Sequence, residues 1–143
     1  MKPETSYGGG YLSMQNENRI MLARYRLKKA QQCANTARNI LFDGDYETSI
    51  DCSCRAYFHG MRAVMALDGL APREDLSLSE RFIDRYIRTG IFEERFSTTL
   101  KEAFELNSAC AYEDFFMATK QAAEQQMEGA SAFLKAAGHY IEK

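Results

Sequence analysis

The sequence predicts an all-α protein, an up-down bundle of about five helices, three long and two shorter. Apolar residues recur at spacings of three and four through most of the chain and never alternate at period two for long. Gly44, Gly69, Gly90 and Pro72 fall between those periodic stretches, where chain breaks belong. The 143 residues, 45% of them hydrophobic, suit a single core of the common ~100–150-residue class.

Residues 1–15 read as a flexible N-terminal tail and residues 16–143 as one helical domain. Within the tail, Gly8-Gly9-Gly10 lacks the following Lys-Ser/Thr of a phosphate-binding loop. Helix one is expected from Asn16 to Phe42, with Ala23, Leu27, Ala30, Ala34, Ala37 and Leu41 as a narrow stripe of mostly small residues. It is also the most basic segment, through Arg19, Arg24, Arg26, Lys28, Lys29 and Arg38. A solvated face accounts for these charges, with a phosphate-facing patch as the alternative. "FDGDY" breaks the helix, and Gly44 suits its C-terminal cap.

Helix two is expected from Tyr46 to Asp68. Tyr46, Ile50, Cys54, Tyr57, Met61 and Val64 make one apolar stripe, and Cys52, Ala56, Gly60, Ala63 and Leu67 a second. Only Asp51, Arg55, His59, Arg62 and Ala66 remain for a third side. A helix apolar around most of its circumference is central in its bundle. "GLAPRED" is a connection, because Pro72 forbids a continuing helix. Ser79 opens a short helix with Phe82, Ile83, Tyr86 and Ile87 inward, stopped at Gly90.

Helix four is expected from Glu93 to Ala111, on Phe96, Leu100, Ala103 and Phe104. Asn107 falls in that stripe and needs a polar partner there. Helix five is expected from Tyr112 or Glu113 to near the end, on Phe115, Ala122, Gln126, Ala130, Phe133, Ala137 and Tyr140.

Composition excludes several function classes. A net charge of −2 gives no global field toward nucleic acid or anionic membrane, so any RNA contact needs a local patch. No run approaches the ~20 apolar residues of a membrane span. "MKPETSYGGGYLS" has no apolar core behind its lysine, so the expected compartment is the cytoplasm. Cys33, Cys52, Cys54 and Cys110 form no C-x-x-C pair, and Cys52 and Cys54 point about 200° apart on a helix. They read as small buried thiols, and no metal or cofactor is expected. The sequence has no G-x-S-x-G, H-E-x-x-H, Walker loop or E-x-x-H. The inventory leaves open a nucleophile pair of Cys54 or Cys110 with His59.

The stretch "CRAYFHGMRA", Cys54 to Ala63, gathers the chemistry. Asp51, Arg55, His59 and Arg62 share one helix face by their spacing. That strip is either structural, pairing with itself and its neighbours, or a binding face, since Arg's planar fork suits phosphate. Catalysis by His59 with Arg55 or Arg62 is the third reading.

"FHGMRAVMALDGLAP", "RFIDRYIRTGIF", "LKEAFELN" and "ACAYEDF" follow in the order and spacing of the HEPN domain family, which the chain resembles from Arg24 to Ile141. The resemblance implies a five-helix antiparallel bundle, usually a homodimer, associated with nucleotides or RNA. Many such proteins pair with a small nucleotidyltransferase in a toxin–antitoxin-like arrangement, and others are metal-independent ribonucleases. The ribonucleases use an Arg and, four to six residues on, a His. Histidine handles protons at the ribose 2′-OH while arginine stabilises phosphate charge. Here those places hold Asn107 and Tyr112. Asparagine carries no charge, and tyrosine with a free pKa near ~10 is a poor base at neutral pH. The Asp of an Arg-x-x-Ala-Asp-Tyr variant is matched by Ala111, and a histidine common after helix two by Asp75. Phe58-His59-x-x-Arg62-Ala63 is the best-matched motif, although the tyrosine pair that usually precedes it is replaced by Cys54-Arg55. The resemblance therefore implies a dimeric binding module for a nucleotide or protein partner, without the family's usual catalytic pair.

Overall fold

The computed structural model describes residues 3–71, 77–113 and 116–143, with side chains from Asn16 onward. Its elements are α1 (Pro3–Phe42), α2 (Tyr46–Leu67), α3 (Leu78–Phe82, continued by a π-helical turn over Ile83–Ile87), α4 (Arg95–Tyr112) and α5 (Lys120–Glu142). No strand occurs among the described residues. The expected five-helix, all-α architecture is the one observed.

The α1 helix enters the stretch expected as a tail and carries its small-residue stripe inward. Ala23, Leu27, Ala30, Ala34 and Ala37 are buried, and Leu41 is half-buried. After Phe42 the chain reverses through Gly44, whose φ of 87° is a left-handed conformation that costs glycine little. Asp45 then caps α2, accepting a hydrogen bond from the Thr48 amide at 3.2 Å. Ser49 donates from its hydroxyl to the Ala37 carbonyl at 2.8 Å, satisfying a buried polar group where α2 meets α1.

Helix α2 is central, as its two apolar stripes require. It runs in the same direction as α5, since Tyr57 meets Phe133 near mid-helix and Asp68 meets Tyr140 at the far ends. The two backbones approach closely at glycines inside the helices. A Cβ on Gly60 would stand 2.7 Å from Leu134 Cδ2 and 3.0 Å from Phe133 Cε2, and one on Gly129 would stand 2.5 Å from the Tyr57 hydroxyl. Phe82, Phe92, Phe96 and Tyr57 surround Phe133 at ring-centroid distances of 5.5–5.8 Å. Such tilted and edge-on pairs add to the burial of large apolar surface. Phe82, Ile83, Tyr86 and Ile87 all face inward as expected.

Helix five differs from expectation. It begins at Lys120, not near Tyr112, which is the last residue of α4. Thr119 is extended and accepts a hydrogen bond from the Ala122 amide at 3.1 Å, the N-cap arrangement that starts a helix. Its buried face is Ala123, Ala130, Phe133, Leu134, Ala137 and Ile141. Ala122, Gln126 and Tyr140 lie half-buried at the edge of that face. The expected Pro72 break, Asp75 and Phe115 fall outside the described residues. Among the described residues no helix is long and apolar enough to cross a membrane.

Candidate functional site

Asp51, Arg55, His59 and Arg62 stand on one side of α2, as their spacing predicts. Arg55 is exposed and the other three are half-buried. Ala66 does not share that wet side, for it is only 3% exposed. The strip therefore extends over three turns, about 16 Å of helix. Arg55 Nε pairs with Asp51 Oδ2 at 3.1 Å. Arg26 of α1 donates from Nη1 to the Arg62 carbonyl at 3.4 Å, and His59 Nδ1 and Arg62 Nε lie below the surface. Beside the strip, Phe58 packs against Phe104 of α4 with ring centroids 4.6 Å apart and planes tilted at 54°.

The cysteines map the electrostatics of this region. Burial raises the Cys33 thiol, and Asp51 adds to the rise while Arg55 and Lys29 oppose it. Burial likewise raises Cys110, with Glu47 and Asp51 contributing. Asp51 thus acts in the same direction on a thiol of α1 and on one of α4. Burial pushes Cys54 up to about 12, with a smaller contribution from Asp51. A thiol held protonated at neutral pH is a poor nucleophile, so the pair of Cys54 with His59 loses its chemical basis. Cys110 is raised in the same direction. Among the described residues no three His, Cys, Asp or Glu side chains cluster so as to hold a metal ion.

Asn107 and Tyr112 share α4 but not an environment. Asn107 is half-buried, whereas Tyr112 is 84% exposed at the last position of the helix. Neither lines the cavity between α4 and α5, a groove of about 420 Å³ bordered by Glu102, Glu105, Leu106 and Gln126.

One polar constellation escaped the sequence reading. Tyr86 and Tyr140 both donate to Asp68 Oδ2, at 2.5 and 2.8 Å. Burial raises both hydroxyls, and the hydrogen bond to Asp68 adds to the rise, carrying Tyr140 up to about 12. This triad pins the π-helical turn and the end of α5 to the end of α2. The partners stand 18 and 72 residues from Asp68, distances at which helical spacing carries no signal.

No curated protein matches the chain. The family model for the HEPN domain matches residues 23–140, spanning α2 to α4 whole and nearly all of α5. With the order of helices, the central α2 and the Phe58–Ala63 motif in place, the chain belongs to the HEPN domain family.

Proposed function

We propose that this HEPN protein is a non-catalytic, dimeric binding module for a nucleotide or a protein partner. A small nucleotidyltransferase, in a toxin–antitoxin-like pair, is the partner type that its family suggests. The observation carrying this reading is the substitution of the ribonuclease pair by Asn107 and Tyr112. An uncharged amide and a tyrosine 84% exposed at a helix end supply neither the phosphate-stabilising cation nor the base at neutral pH. The cytoplasm is the compartment that fits, in keeping with cysteines that are all free thiols.

The half-buried His59, with Arg62 one turn away, favours a second reading as a divergent endoribonuclease. Both readings meet in one experiment, RNA cleavage by purified protein in EDTA beside a folded His59→Ala variant. The binding reading expects no cleavage by either protein. It also expects a saturable rise in melting temperature with a nucleotide or with co-purified partner, because a ligand of the native state stabilises it by mass action. Cleavage that disappears with His59→Ala would replace the binding reading with the enzymatic one.

A further inference from the structure

Helix α5 borders several grooves, among them two of opposite chemistry. Between α1 and α5, cavities of about 500 and 330 Å³ share Gln31 and Lys135 and follow one another along the groove between the two helices. Leu27, Ala34, Leu134 and Gly138 form its floor, the first three nearly covered. Arg38 of α1, Lys135 of α5 and Lys143 just past the end of α5 stand along it, with His139 between the two lysines. Among the described residues lining these two cavities the one acidic side chain is Glu142, and Arg24 neutralises that group through two hydrogen bonds of 2.8 Å. The groove on the other side of α5 carries Glu102 and Glu105 instead.

We propose that the α1–α5 groove docks an acidic amphipathic helix of a protein partner. The proposal rests on the reading of the chain as a binding module and gives its partner a chemistry. Cationic rims over an apolar floor match a helix with an apolar stripe flanked by Glu or Asp. From Ser131 to Lys143 the groove follows α5 for about 18 Å, room for three turns of a docked helix. Ala34 and Gly138 keep the floor low, so that a second backbone can come close. Single-stranded nucleic acid is disfavoured as the occupant because grooves for it offer aromatic platforms to the bases. Among the described residues no Phe, Tyr or Trp lines these two cavities, and Phe92, Phe96 and Tyr140 line a neighbouring cavity that shares His139 and Lys143 with them.

The test uses the full chain and a fluorescent 18-residue peptide with a leucine stripe and Glu at the remaining positions. Two competitors are the same peptide with Gln for Glu and a uridine oligonucleotide, all followed by anisotropy at low and high salt. The acidic peptide is expected to bind saturably, at least ten-fold tighter than the Gln peptide, and more weakly as salt rises. Arg38→Glu with Lys135→Glu should weaken it ten-fold or more. Gly138→Leu should also weaken it by filling the floor, since a Cβ there meets only Leu27 Cδ2 at an ordinary 3.7 Å. Glu102→Gln with Glu105→Gln should leave binding unchanged, and all variants should retain the wild-type melt. Absence of binding, equal binding of both peptides, indifference to the Arg38 and Lys135 changes, or displacement of the peptide by the oligonucleotide would each overturn the proposal. RNA cleavage would sink the binding-module reading while leaving the titration to be judged by itself.

Discussion

On the side of α2 that faces α5, an added methyl group at Gly60 would press on Leu134 and Phe133, whereas across the helix Asp51, Arg55, His59 and Arg62 stand in a strip where Arg55 pairs with Asp51. The first side is governed by volume, and close-packed interiors register even one methylene. The second is governed by charges in or near water, where pairs contribute little. Sequence changes on the packed side are therefore constrained by folding, and those on the strip are free to follow function. Substitutions that separate the two sides make the difference measurable.

The largest effect is expected at the ring that joins α2 to α5. Phe133 is fully buried and contacts Tyr57, Phe82, Phe92 and Phe96. Phe133→Ala should cost about 3–5 kcal/mol in urea unfolding, as transfer and cavity terms add. A cost below about 1 kcal/mol would show that the aromatic cluster does not organise the core.

Alkali attacks the same side through Tyr57. Burial pushes its hydroxyl up to about 12 from the ordinary 10, with Thr99 opposing through a hydrogen bond. A proton is thus held more tightly in the folded state than in the unfolded one. Its contribution is complete below pH 10 and is lost as pH rises toward 12, an order-of-magnitude loss of about 2–3 kcal/mol. Unfolding free energy measured across that range should fall, and ultraviolet titration should show the buried tyrosines ionising late. Stability that stays level from pH 9 to 12 would contradict this account. At Gly60 the expected cost is smaller. Gly60→Ala gains about 0.5–1 kcal/mol of helix propensity but meets overpacking of about 1–3 kcal/mol, for a net loss of about 1 kcal/mol.

Much of this packed side was legible in the sequence because helical spacing alone sorts Ile50, Cys54, Tyr57, Met61 and Val64 inward, and all are buried. The same spacing placed Asp51, Arg55, His59 and Arg62 on one face. It misplaced the start of α5, because Phe115 and Ala122 fit one helical period while the Thr119 cap that starts the helix later is a single local hydrogen bond. It gave no warning of Asp68, whose tyrosines arrive from two other elements. The basic residues of α1 were evident, but their meeting with Lys135 depends on which helix the bundle sets beside α1.

The smallest expected effect belongs to the strip itself, and its smallness makes it useful. Arg55 is two-thirds exposed and tied to Asp51 one turn away. Removing an i,i+4 pair of this kind costs about 0.2–0.5 kcal/mol. Arg55→Ala should therefore melt within about 2 °C of wild type, since 1 kcal/mol shifts a domain of this size by roughly 3–4 °C. A fall of 8 °C or more would mean that Arg55 holds α2 to its neighbours and that the strip is structural. With the melt unchanged, any loss of nucleotide or partner binding in Arg55→Ala can be assigned to the contact itself. His59→Ala, half-buried and one turn further on, should cost about 1 kcal/mol and permits the same assignment with a wider margin.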